Sequence, residues 1–322
     1  MRRRTLLAAG AGAALARPPC AQASFPERPV RLFIPFVAGG PADLLGRIFA
    51  EALGARLGQP VVPESRPGQG GVTALEATAR AAPDGHTLVL PSTGGVAISP
   101  ALPARMPLDV LADLWHITIV AKVPEAIAVH PASGINGIPD LAALARGKEG
   151  GAVFGSAGVG SITHLAPALL AKEAGFPVTH VPYRGIAPAV TDLLARRVDF
   201  VVADVPVLKP HVDAGALRLL AMATGKRVAS MPGVPTTAEI GLPRVLSDNW
   251  YGLAAPAAVP GAVRARLLPA VADALRDPVL AREYARVEAA PAPMTPEETM
   301  AFLRAETAKW APLVRETGAA AL

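Results

Sequence analysis

Two glycine-rich turns constrain this chain most. The first is Phe33-Ile34-Pro35-Phe36-Val37-Ala38-Gly39-Gly40-Pro41-Ala42-Asp43, and the second is Phe154-Gly155-Ser156-Ala157-Gly158-Val159-Gly160-Ser161-Ile162-Thr163-His164. Each leads from an apolar strand through glycines into the start of a helix. Free backbone N–H groups at such a start favour an anion. Two of them, distant in sequence, could face each other across a cleft and hold a carboxylate.

The rest of the pattern supplies the scaffold for such a cleft. Val30 to Pro35 reads as a strand, and from Pro41 the apolar positions Leu45, Ile48, Phe49, Ala52, Leu53 and Leu57 fall on one helical face. A glycine turn, Arg66-Pro67-Gly68-Gln69-Gly70-Gly71, introduces a further helix, and His86-Thr87-Leu88-Val89-Leu90 reads as a strand. Alternating strands and helices predict an α/β fold with mostly parallel strands. Ile117 to Ala121 and Ala126 to Val129 are strands on either side of Lys122-Val123-Pro124-Glu125, where a first crossing between domains is expected. Later segments repeat the rhythm: helices over 140–146 and 187–194, strands over 178–182 and 198–204, then a helix over 209–214 and a strand over 217–223. A return crossing is expected before Asn249-Trp250-Tyr251-Gly252-Leu253. Helices over 260–275 and 296–316 are expected to pack on the first domain. The expected boundaries are 1–23 for a leader, 24–123 and 246–322 for the first domain, and 124–245 for the second.

Arg2, Arg3 and Arg4 precede the apolar run from Leu6 to Ala16, and Ala21-Gln22-Ala23 supplies small residues for cleavage. That is the layout of a secretory signal peptide cut near Ala23, too short to serve as a permanent anchor. The paired arginines also permit twin-arginine export. Cys20 is the only cysteine and would leave with the leader, so disulfides, thiolate metal sites and a cysteine nucleophile are excluded from the mature chain. Pro19 argues against a lipoprotein site. The formal charge of +5 includes four leader arginines, which leaves the mature chain near +1. No basic block with interleaved aromatics supports nucleic-acid binding.

Each candidate side chain has a structural alternative. Gly39 and Gly40 let the backbone approach a ligand. Asp43 either accepts from an N–H on a ligand or orients the loop; in an ordinary turn it would simply stabilise the helix end. Ser156, Ser161 and Thr163 offer hydroxyls, and Gly160 offers exposed backbone. His164 could donate to a carboxylate or be a packed histidine. Asp204 ends a strand, where ligands of α/β crevices bind, or caps a helix. Ser92 and Thr93 end another strand. Tyr183 and Trp250 could wall a site or belong to the core. The glycine spacings match neither a dinucleotide fingerprint nor a P-loop, and Phe154 breaks a G-x-S-x-G elbow. The six histidines form no close ligand pair, so neither metal nor cofactor is expected.

Many short segments, in order, resemble the extracytoplasmic solute receptors of tripartite tricarboxylate transporters, the Bug or TctC family. They include Phe25-Pro26-Glu27-Arg28-Pro29-Val30, the two glycine turns, Arg66-Pro67-Gly68-Gln69-Gly70-Gly71, Pro83-Asp84-Gly85-His86-Thr87-Leu88, His180-Val181-Pro182-Tyr183-Arg184-Gly185, Val234-Pro235-Thr236-Thr237-Ala238-Glu239 and Trp250-Tyr251-Gly252. The resemblance implies a periplasmic binding protein fold of type II character, with two α/β domains joined by crossing hinge strands. It implies capture of a small organic carboxylate without catalysis, and docking of a monomer on a two-subunit membrane permease. Carried over, Phe36, Gly39, Gly40 and Asp43 form one wall, Ser156, Gly160, Ser161, Thr163 and His164 the other, and Ser92 and Asp204 tune the fit. Val37-Ala38 departs from a pair that is commonly proline-rich, which would present Val37 to the ligand; Ser65 stands where asparagine is usual. A ligand-presenting sensory receptor and an exported enzyme acting on an organic acid are the alternatives. The effector domain of a transcription regulator conflicts with the leader and the missing DNA-binding helices.

Overall fold

The computed structural model describes residues 25–102 and 106–317. The signal-peptide features and Cys20 lie outside the described residues.

In chain order the elements are β1 (Val30–Ile34), α1 (Pro41–Leu57), β2 (Val61–Ser65), α2 (Val72–Ala79), β3 (Thr87–Val89), β4 (Leu114–Val123), β5 (Glu125–Val129), α3 (Ile138–Gly147), β6 (Ala152–Ser156), α4 (Ile162–Ala174), β7 (Val178–Pro182), α5 (Ile186–Leu194), β8 (Phe200–Asp204), α6 (Val205–Asp213), β9 (Arg218–Met222), β10 (Asn249–Pro256), α7 (Gly261–Leu275), α8 (Pro278–Arg286), β11 (Ala290–Pro291) and α9 (Pro296–Thr317). They form two α/β lobes. The first sheet has the order β11-β4-β10-β3-β1-β2, the second β7-β6-β8-β5-β9.

Local chemistry explains the elements that shape the cleft. β1 is apolar but for Arg31 and almost wholly buried. Pro41 opens α1, where its missing N–H costs no helical bond, and Gly58 closes it in the left-handed region, donating to the Gly54 carbonyl. The buried stripe Leu45, Phe49, Leu53 and Leu57 repeats every four residues. α8 was not expected from the sequence; Asp277 caps it by accepting from the Val279 N–H.

Each sheet is mixed rather than mostly parallel. β1 pairs parallel with β2 and β3, while β10 runs antiparallel to β3 and β4. β6 pairs parallel with β7 and β8, while β5 runs antiparallel to β8 and β9. Apart from the two-residue β11, which runs antiparallel to β4, the antiparallel pairings involve the strands that flank the crossings. Pro124 alone separates β4 in the first sheet from β5 in the second. On the return, the Ser247 N–H still bonds Ala223 of the second lobe, and Asn249 already begins β10 of the first.

Apolar clusters cover both faces of both sheets. One of them spans the lobes: Val96 and Ile98 of the first pack with Ile162, Leu165 and Ala168 of α4 and with Trp310 and Val314 of α9. α9 therefore reaches further than the expected packing on the first domain. Its start lies against the first sheet, and near its end Glu316 binds Arg244 and Lys172 of the second lobe.

Candidate ligand cleft

The N-termini of α1 and α4, one from each lobe, line a single small cavity of about 20 Å³. That is room for about one water molecule, so the lobes are closed on each other. Gly40, Pro41 and Ala42 contribute from α1; Ala157, Ser161, Ile162 and Thr163 contribute from the α4 side. The first backbone N–H groups of each helix have no partner within their own helix. Phe36, Ser92, Ile186, Asp204, Asn249 and Tyr251 complete the wall, and no lysine, arginine or histidine belongs to it. Fixed N–H dipoles and hydroxyls are thus the groups here that can neutralise an anion.

Six of the sequence-predicted residues, Phe36, Gly40, Ser92, Ser161, Thr163 and Asp204, meet at this cavity. The other five do not line it. Asp43 accepts from the Gly39 N–H at 3.1 Å and pairs with Arg47, so it orients the loop. Gly39 has φ +86°, in the region that favours glycine. The Ser156 hydroxyl lies 2.6 Å from His180 Nε2 and accepts from the Gly158 N–H. His164 is the packed histidine: its ring stacks on His180 at 4.1 Å, and Nδ1 accepts from the Gly160 N–H. Burial, followed by the neighbouring His180, pulls its pKa down to about 3, so it is neutral. Thr163 and Ser161 shape their own loop, with Ala157 N–H donating to Thr163 Oγ1 and Ser161 Oγ donating to the Gly158 carbonyl.

Gly160 lies in a seam between the lobes. A Cβ on Gly70 would stand 2.6 Å from the Val159 carbonyl oxygen, and one on Gly94 would stand 2.8 Å from Ser161 Cα. Backbone thus packs on backbone at one side of the cavity. At the other side the Val37 N–H donates to the Arg184 carbonyl across the lobes at 3.3 Å, and Val37 Cγ2 fills the space beside Gly185. Val37 therefore meets the opposite rim and is not part of the cavity wall.

Sequence reasoning missed a buried polar network behind the cavity. Asp204 accepts from Tyr251 at 2.5 Å and from Asn249 at 3.0 and 3.1 Å. Asn249 in turn accepts from Thr93 of the first lobe. Glu125 stands directly opposite Asp204 on the neighbouring strand and accepts from Ser247. Burial, and then the neighbouring Asp204, holds the Glu125 carboxyl well above the usual range, and burial pushes Asp204 up to about 6. Strand alternation was the available signal: Trp250 turns into the core and donates to Glu306, so its neighbours Asn249 and Tyr251 face the other way. Tyr183 donates to Asp192 and is not in the wall.

Known proteins agree with this architecture. Residues 45–319 match the family described as tripartite tricarboxylate transporter family receptor. The chain belongs to this family of periplasmic solute receptors. Protein BugT of Bordetella pertussis is 34% identical over 302 residues, which cover 94% of this chain and 93% of that protein. The structure of Rpa4515 from R. palustris with adipate superposes with a TM-score of 0.87 at 30% identity, covering 91% of this chain and 98% of the other. MatC from Rhodopseudomonas palustris with bound malate gives 0.86 at 27% identity, covering 90% and 100%. Among the described residues of the present receptor, no three or more His, Cys, Asp or Glu side chains group to hold a metal ion, and no helix is long and apolar enough to cross a membrane.

Proposed function

We propose that this receptor captures a small organic carboxylate between its lobes in the periplasm and hands it, without chemistry or cofactor, to a two-subunit membrane permease. The observation that carries the reading is the convergence of two helix N-termini, from different lobes, on one cavity. In this reading the backbone at Gly40 and Ala42 grips one side of a carboxylate. The backbone at Ile162 and Thr163 grips the other, with Ser92 beside them, while Ser161 holds the turn through the Gly158 carbonyl. Phe36 and Ile186 cover the carbon skeleton. Gly39, Asp43, Ser156, Gly160 and His164 hold the two loops in shape. Adipate and malate, bound by the two relatives from Rhodopseudomonas, set the first ligands to try.

A ligand held by both walls favours the closed state over the open one. The working bodies are 24–123 with 246–322, and 124–245, in a receptor that acts as a monomer. Native mass spectrometry of the mature protein from periplasm, with extraction of bound small molecules and a thermal-shift panel of organic acids, tests the reading. A stoichiometric small carboxylate supports it, and Ser161→Leu should then bind at least about tenfold more weakly, about 1.4 kcal/mol. Ser161→Ala removes only the hydroxyl and is the control for folding. No acid in extract or panel, or an acid recovered chemically altered, would overturn it.

A further inference from the structure

Two acids sit fully buried, Asp204 in the cavity wall and Glu125 behind it, and carboxylate capture as such makes no use of them. Glu125 is 0% and Asp204 1% exposed. They are cross-strand partners on β5 and β8, one residue past the first crossing and at the end of the strand that reaches the cavity. The return crossing supplies their other partners: Ser247 on Glu125, Asn249 and Tyr251 on Asp204. The pair thus touches both crossings and one wall of the cleft.

We propose that Glu125 and Asp204 hold a proton as a pair, and that the receptor closes on an anionic carboxylate together with one further proton taken from solvent. This rests on the carboxylate-receptor reading above. Two neighbouring buried carboxyls do not both ionise near neutrality. Glu125 is the protonated member, because burial and then the neighbouring Asp204 both raise its carboxyl. Asp204 carries the charge because Tyr251 and Asn249 donate to it and because α6 starts at the next residue, placing a helix N-terminus on the anion.

Among the described residues, no lysine, arginine or histidine hydrogen-bonds either acid. The remaining charge near Glu125 is Asp248, whose carboxyl is itself raised by burial while Lys309 and Lys122 act to lower it and Glu306 to raise it. Just past β9 the backbone N–H of Ala223 donates to the Glu125 carbonyl. A ligand carboxylate entering the cavity that Asp204 lines therefore meets a like charge with no cation beside it. Protonating Asp204 removes that repulsion. In the shut receptor Asp204 lies at about 6, and a carboxylate beside it in the cavity raises it further, so binding takes up a proton near neutrality. Affinity consequently falls as pH rises above about 6, by up to about tenfold per pH unit.

The test is calorimetric titration of the full mature receptor with malate and with adipate, or with the acid recovered from periplasm if neither binds. It is run from about pH 6 to about pH 8, where both probes are largely ionised, in buffers of different ionisation enthalpy. The expected result is uptake approaching one proton per ligand and affinity that falls with pH. Asp204→Asn should bring the uptake near zero and flatten the affinity. If that variant does not fold, Tyr251→Phe, which removes the O–H that acts to lower the Asp204 carboxyl, should move the fall in affinity to higher pH, and an unmoved profile overturns the inference. Binding with no proton uptake in the unaltered receptor overturns this inference and leaves the receptor reading standing. Uptake that persists undiminished in Asp204→Asn also overturns it. If no acid binds at any pH, both readings fall.

Discussion

Single atoms decide whether the cleft closes. Gly94 has nothing but backbone opposite it: an added Cβ would sit 2.8 Å from Ser161 Cα and 2.9 Å from the Gly160 carbonyl oxygen. Neither can move like a side-chain end. Gly94→Ala should therefore weaken ligand binding at least about tenfold, about 1.4 kcal/mol, and leave each lobe folded. Calorimetry alongside thermal unfolding reads both. His164 gives a second residue-scale expectation. Its folded pKa, about 3, lies below the ordinary 6.5 because the neutral ring is buried. The stability it contributes is present above about pH 6.5 and is lost as pH falls toward 3. His164→Gln should remove about one proton from the pH dependence of unfolding in that window. Asp204 and Glu125 work with opposite sign, because raised carboxyls stabilise most at low pH; Asp204 loses that contribution as pH rises through about 6, and Glu125, also raised, loses its own as pH rises through its folded value. Comparing denaturant midpoints of both proteins at several pH values separates the two.

At the scale of elements, the C-terminal helix is the part that joins what the cleft divides. Trp310 of α9 is fully buried, in a cluster that includes Leu165 of α4 and Val96 of the first lobe. Trp310→Ala should cost about 3–5 kcal/mol of stability, seen as a lower midpoint in urea. Arg244 also links α9 to α4, through Glu316 and Glu173, but on the exposed surface. Arg244→Ala should change the midpoint by less than about 1 kcal/mol. The sequence made α1 legible because a proline start, a four-residue apolar repeat and a glycine stop all coincide there. The two glycine turns were legible for the same reason: strand, glycines and helix follow one another locally. α6 was expected only from 209, yet it begins at Val205 directly after β8, since Pro206 fits a first helical turn. The Glu125–Asp204 pairing was not legible, because the two lie far apart in sequence and meet only through strand register. The seam of Gly70 and Gly94 on the 158–161 loop escaped for a related reason. Glycine in a turn looks the same whether it meets solvent or a second lobe.

As a whole molecule, the receptor is in its shut form, with about 20 Å³ left between the walls. Both rims are sealed by contacts between the lobes, so entry requires the lobes to part, breaking the Val37–Arg184 bond and the glycine seam. Small-angle scattering should report a smaller radius of gyration with a saturating acid than without it, if the unliganded receptor spends most of its time open. An unchanged profile would mean that the closed form dominates without ligand and that opening limits the association rate, which stopped-flow Trp fluorescence would then show as a slow, concentration-independent step. The order of strands has a separate consequence for how the chain is made. The second sheet is built from one continuous stretch, β5 to β9, whereas β10 is an inner strand of the first sheet, between β4 and β3. Until β10 arrives, the first sheet exists only as two unconnected fragments. A chain delivered from its N-terminus through a translocation channel would therefore complete its middle before its beginning. The N-terminal third would wait as an unfinished half-sheet for the last quarter of the chain to emerge.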